Sequence, residues 1–189
     1  MKTVCLLGSP RRGGNSDTLA GHFCDEAKSR GADIESVVLS DLNYNGCINL
    51  FQCKNTLDRC GQEDDLTPVL ESIEQASILV LASPIYFTNL TGQMKLAMDR
   101  FFSFFVPGYP TAKVKTRLTQ NQHLVLVQTQ GEPEDRYRHI LDQYSASFTG
   151  LGFQHLHLIR AWGVREPSDI EQCDEALKQC QVVAKKIYG

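Results

Sequence analysis

The stretch GSPRRGGNS, Gly8 to Ser16, gathers residue types that bind phosphate. Glycines let the backbone approach an anion closely. Ser9, Asn15 and Ser16 add side-chain donors, and Arg11 and Arg12 add charge; no acidic residue intervenes before Asp17. The loop is not a Walker A motif. Gly8 and Gly13 have the spacing, but Gly14 and Asn15 stand where Lys and Ser/Thr belong. It is not G-x-G-x-x-G either. Taken alone, it also reads as a glycine-rich turn with two solvated arginines.

Two further stretches suit a flat, polar-edged ligand. SPIYFTNLTGQMKLAMDRF (83–101) places Pro84 and the pair Tyr86–Phe87 together. Such an aromatic pair flanks a ring, or packs into the core beneath a loop. TQGE (129–132) has backbone N–H groups that could reach a polar ring edge.

The chain has seven cysteines. An odd count, with no secretion-type leader, argues against a disulfide scaffold. Cys5, Cys24, Cys173 and Cys180 fall in apolar or helical patterns and read as structural thiols. Cys47, Cys53 and Cys60 lie apart in YNGCINLFQCKNTLDRCGQEDDL (44–66). Their C-x5-C-x6-C spacing is not a familiar zinc signature. Three thiols still permit a zinc site with one open position, redox-active thiols, or reduced loop thiols. The histidines, His22, His123, His139, His155 and His157, are scattered and form no metal-ligand pattern with the cysteines.

These residues need elements to position them. Five short runs read as strands: 3–8, 33–39, 77–83, 123–129 and 155–162. The third and fourth are almost continuously apolar, as strands covered on both faces are. The second and fifth alternate more, as edge strands do. Helical spacing appears over 16–31, 65–76, 91–105, 132–152 and 168–189, with Ser16 as an N-cap and Gly31 as a stop. Alternating strand and helix predicts a doubly wound α/β fold: a five-stranded parallel sheet, order 2-1-3-4-5, with helices on both faces. Ligands of such sheets sit outside the carboxyl ends of the strands. The three stretches above lie there.

At 189 residues, the chain reads as a single domain, 1–189. A net charge of -3 gives no global field to attract nucleic acid or an acidic membrane. No apolar run approaches the ~20 residues of a membrane helix. The first apolar run is too short for a signal peptide. A cytoplasmic protein is expected.

GSPRRGGNS, SPIYFTNLTGQMKLAMDR and TQGE, in that order, resemble the NADPH-dependent FMN reductase branch of the flavodoxin-like superfamily, and in particular its iron–sulfur flavoprotein-like members. The resemblance implies a flavodoxin-like fold that binds FMN. It implies that Ser9, Arg11, Gly14, Asn15 and Ser16 hold the phosphate. Pro84, Ile85, Tyr86 and Phe87 would run beside the isoalloxazine ring, and Thr129, Gln130 and Gly131 would line its other edge. Flavin chemistry belongs to the cofactor, so no catalytic side chain is expected. The implied activity passes electrons from NAD(P)H through FMN to a quinone, flavin, nitroaromatic, metal or protein acceptor. The alternative is an electron-transfer protein without a dedicated small-molecule substrate. A homodimer or homotetramer is implied. So is a four-cysteine motif followed by two aspartates. Cys47, Cys53, Cys60 and Asp64–Asp65 match it, but Leu50 stands where the second cysteine belongs. A cubane cluster normally takes four thiolates, so no protein-bound metal is expected. The long loop 106–121, with Lys113, Lys115 and Arg117, corresponds to a region near a dimer interface or the substrate side of the flavin. Its basic residues would draw NADPH phosphates or simply be solvated.

Overall fold

The computed structural model describes residues 1–119 and 121–189; Gln120, in the long loop, lies outside the described residues. Five parallel strands form the sheet: β1 (Lys2–Leu7), β2 (Asp33–Val38), β3 (Ile78–Tyr86), β5 (Gln122–Thr129) and β6 (Phe153–Ala161). They run in the order β2-β1-β3-β5-β6. The two-residue β4 (Asn89–Leu90) pairs antiparallel with the end of β3. Counted without β4, this is the expected order, with the alternating runs β2 and β6 at the edges.

The helices are α1 (Asn15–Ser29), α2 (Thr67–Gln75), α3 (Gly92–Arg100), α4 (Ile140–Leu151) and α5 (Asp174–Tyr188). Strand side chains alternate between faces, and the sheet carries a core on each. Val4, Leu6, Leu79, Leu81, Leu124 and Leu126 meet α2, α3 and α4. Cys5, Ile78, Val80, Val125, Val127 and Ile159 meet α1 and α5.

Three expectations change. The α1 helix starts one residue early, with Gly14 as its N-cap and no side-chain cap bond, so Ser16 is inside the helix. Residues 132–139 are turns rather than helix. The carbonyls of Glu132, Pro133 and Arg136 accept hydrogen bonds from the buried Gln130 side chain instead of entering a helical ladder. The last segment opens with a 3-10 turn, Asp169–Gln172, before α5. No helix among the described residues is long and apolar enough to cross a membrane.

Candidate functional site

The loops at the carboxyl ends of β1, β3, β5 and β6 enclose one open cavity of ≈ 290 Å³. Its lining includes Ser9, Arg11, Gly14, Asn15 and Ser16 from the first loop. Pro84, Ile85 and Tyr86 come from β3, and Thr129, Gln130 and Gly131 from the end of β5. Eleven of the twelve residues singled out in the sequence therefore share one cavity. Phe87 is the exception. Tyr86 pairs with Asn89 across a two-residue turn, and this sends Phe87 fully into solvent. Both turn residues have positive φ, Phe87 at 44° and Thr88 at 72°. Side chains other than glycine and asparagine rarely adopt that conformation.

The first loop is rigid for identifiable reasons. Ser9 is buried; its Oγ accepts from the Arg11 N–H and donates to the Arg11 carbonyl, both at 3.1 Å. Gly13 takes φ +62°. Thr91, the N-cap of α3, accepts from Met94 N and donates to the Gly8 carbonyl at 2.7 Å. It thus ties the first loop to the third. Gly14, Asn15 and Ser16, at the start of α1, line the cavity, and a helix N-terminus favours an anion.

The two arginines diverge. Arg11 lines the cavity, donates to the Arg165 carbonyl at 3.0 Å and lies 3.8 Å from the Glu166 carboxylate. Arg12 turns away and pairs with Asp41. Asp17 accepts from the Gly13 N–H at 3.2 Å. Burial pushes its carboxyl up, against the pull of that bond and of Arg12.

At the other wall, little of Gln130 is available. Its N–H donates to the Ala161 carbonyl, its own carbonyl accepts from Val164, and its side chain is engaged within the following loop. The Gly131 N–H has no partner among the described residues. Gly131 also allows a close approach: a Cβ there would lie 3.1 Å from Arg165 Cγ and 3.2 Å from its Nε.

Val164 and Arg165 line the same cavity and escaped the sequence reading. They leave the end of β6, whose following segment, WGVREP, matches none of the motifs used. The rule that ligands sit at strand carboxyl ends applies to β6 as well, and that rule was the available signal. The Arg165 guanidinium donates to the Gly131 carbonyl from Nε at 3.3 Å and Nη2 at 3.2 Å.

The cavity lining contains no His, Cys, Asp or Glu. It has two arginines, hydroxyls, amides, a helix N-terminus and apolar walls. Such a lining binds an anion and a ring but supplies no ordinary acid–base pair. Its donor set fits a phosphate-bearing planar cofactor that carries its own chemistry.

The cysteine loop lies elsewhere. Arg100, fully buried, donates to Cys60 Sγ at 3.0 Å, to the Asp64 carboxylate at 2.6 Å, and to the Asn45 and Gln62 carbonyls. Lys54 lies 3.6 Å from Cys53 Sγ and donates to the Phe102 and Phe105 carbonyls. Arg117 donates to the Cys53 and Leu57 carbonyls. Cys47 is exposed. Among the described residues, no group of three or more His, Cys, Asp or Glu is arranged to hold a metal.

Three histidines scattered in sequence do meet, far from the cavity. His123 and His155 are cross-strand neighbours on β5 and β6, and His157 follows on the same face. His123 Nδ1 and His157 Nε2 are 3.1 Å apart.

A family model described as NADPH-dependent FMN reductase matches residues 1–150. The chain belongs to this family. The family's description names FMN as its cofactor. An iron–sulfur flavoprotein from Archaeoglobus fulgidus is 32% identical over 136 residues, 71% of this chain and 58% of that protein. The chain thus spans just over half the length of that flavoprotein. YwqN of Bacillus subtilis, named a putative NAD(P)H-dependent FMN-containing oxidoreductase, is 26% identical over 187 residues, 98% of each chain. Among solved structures, an FMN-dependent NADH-azoreductase from Bacillus anthracis, in complex with FMN, aligns with TM-score 0.74 at 20% identity over both full chains. An NAD(P)H:quinone oxidoreductase from Methanothermobacter marburgensis aligns with TM-score 0.76 at 14% identity, over 100% of this chain and 98% of its own. At such identities the structural likeness speaks for the fold.

Proposed function

We propose that residues 1–189 act as one FMN-binding unit, an oxidoreductase that takes electrons from NAD(P)H and passes them to a small acceptor. One observation carries this reading. A single cavity joins the α1 N-terminus and Arg11 to the Gly131 wall, and none of its lining residues is a His, Cys, Asp or Glu. Ser9, Arg11, Gly14, Asn15 and Ser16 would hold the phosphate. Pro84, Ile85 and Tyr86 would lie along the ring, and Thr129, Gln130 and Gly131 along its edge. Bound there, FMN would supply two-electron redox chemistry between reduced nicotinamide and an acceptor. The protein would orient the reactants.

The acceptor class includes quinones, azo compounds, nitroaromatics, free flavin, metal ions and proteins. Relatives and structural neighbours named for NAD(P)H, azo and quinone chemistry support the first part of that range. The solvent-facing Tyr86 and Phe87 at the cavity rim favour a second reading, a carrier that docks a protein partner. Steady-state oxidation of NADPH and NADH, with and without a quinone, separates the two. An enzyme turns over; a carrier shows almost none. A homodimer or homotetramer is supported by exposed Ile48, Leu50, Phe51 and Leu96 on the cysteine loop and α3. Composition and charge support a cytoplasmic location.

A further inference from the structure

The wall of the cavity formed by residues 129–131 is backed by a buried polar network. Gln128, Gln130 and Arg160 are 0%, 3% and 7% exposed. Gln128 and Arg160 are cross-strand partners, one position before the Thr129–Ala161 pair. The Gln128 side-chain amide donates to Gln130 Oε1 at 2.8 Å and to the Tyr137 carbonyl at 3.1 Å. The Gln130 amide donates to the carbonyls of Glu132, Pro133 and Arg136. Arg160 donates from Nε to Gln130 Oε1 at 3.4 Å, and from Nη2 to the Arg136 carbonyl at 2.7 Å and the Glu134 carbonyl. Loop 130–137 is thus wrapped around two side chains and one guanidinium.

Arg160 is charged at any working pH, and its bonds above all go to neutral acceptors. Among the described residues it makes no ion pair; the nearby Glu134 carboxylate pairs with Arg138 instead. The far face of the guanidinium lies 5.6 Å from the Trp162 ring. Burying the charge is costly; Arg138 adds to that cost, and the carboxylates of Glu134 and Asp135 offset part of it without touching the guanidinium. Here the charge also lies behind a wall of the proposed flavin cavity, one strand position from Thr129.

We propose that Arg160 is a positioning residue of the flavin site. With Gln128 and Gln130 it holds loop 130–137, and through it the Thr129–Gly131 wall. Its positive charge, bonded only to neutral acceptors, favours the reduced, more anionic form of the cofactor over the oxidised form. Charge near the ring is an established lever on flavin electronics. The proposal rests on the FMN reading above.

The test uses the full chain with three substitutions: Arg160→Met, Arg160→Gln and Arg160→Lys. For each, FMN affinity is measured by quenching of flavin fluorescence and the midpoint potential of bound FMN by spectroelectrochemical titration. Arg160→Met weakens FMN binding by about tenfold or more, the scale of hydrogen bonds to a charged group, and shifts the potential to more negative values. Arg160→Gln keeps a donor but loses the charge. It shows the potential shift even if Arg160→Met fails to fold. Arg160→Lys keeps the charge but not the fork, so it loses affinity while its potential stays near the wild-type value. A folded Arg160→Gln protein with wild-type affinity and potential overturns the proposal. So does an Arg160→Lys protein whose potential shifts as far as that of Arg160→Gln. If the wild type takes up no FMN, the functional reading falls as well. Normal uptake with no difference among variants removes this inference alone.

Discussion

Arg11 and Arg12 are adjacent in sequence, yet only Arg11 reaches the cavity. Arg11→Gln should weaken FMN binding about tenfold to a hundredfold, the range of a charge-assisted hydrogen bond. It should leave riboflavin, which lacks the phosphate, almost unaffected. Arg12→Gln should change FMN affinity by about twofold or less, because an exposed ion pair contributes little. Parallel titrations with both flavins check this pair of outcomes. The loop's donors and its place before a helix were legible because both rest on local residue types. Which arginine faces the cavity was not, because Asp41 is distant in sequence and claims Arg12 only after folding. Arg165 was missed for a similar reason: its place against Gly131 depends on the β5–β6 pairing, and no local motif announces it. Gln130 lines the cavity as expected of the TQGE stretch, while its side chain is held by Gln128, Arg160 and the carbonyls of its own loop.

Among the elements, the tie between the first loop and α3 is a place where one methyl group matters. A Cβ on Gly8 would meet Met94 Cε at 2.9 Å, Met94 Cβ at 3.0 Å and Thr91 Oγ1 at 3.1 Å. Gly8→Ala should cost about 1–3 kcal/mol, as overpacking does, read as a lowered Tm. Arg100 staples the cysteine loop to α3. Removing it leaves the largely buried Asp64 carboxylate unpaired, so Arg100→Met should destabilise by about 3–5 kcal/mol. At the far end of β5 and β6, burial pushes His157 down to about 4, helped by His123, Lys186 and His155. Burial lowers His123 as well, with His155 and Lys186 adding to it. The unfolded chain therefore binds more protons than the native state between about pH 6.5 and about pH 4. This contribution is intact above that window and is lost as pH falls through it. The expected loss is about 2 kcal/mol at the acid end, and His157→Gln should remove most of it. Denaturant titrations across pH check both. Strand identity and order were legible from apolar runs alternating with helical spacing. The histidine cluster was not, since it needs the register of β5 against β6. The late start of α4 was not either, because the side chains of Gln128, Gln130 and Arg160 capture the carbonyls of Glu132, Pro133, Glu134, Arg136 and Tyr137.

The whole molecule places its ligand cavity at one end of the sheet and its histidines at the other. Exposed Ile48, Leu50, Phe51, Tyr86, Phe87 and Leu96 lie on the cysteine loop, the β3–β4 turn and α3. A Cβ on Gly46 would lie 2.8 Å from Leu96, so the cysteine loop and α3 are in contact. Sedimentation should accordingly return a dimer or tetramer mass, and Leu96→Glu should shift it toward the monomer. The family was legible from three loops at strand ends, and the fold confirms their common end of the sheet. The most direct test of the central claim is flavin binding by the purified chain. Its absorbance spectrum, acid-extracted flavin and Tm with added FMN are read on one sample. The account predicts a two-banded yellow spectrum, about one FMN per chain, and stabilisation of ~2.7 kcal/mol at a hundredfold excess of FMN over its Kd. Colourless protein whose Tm does not move with FMN would contradict it.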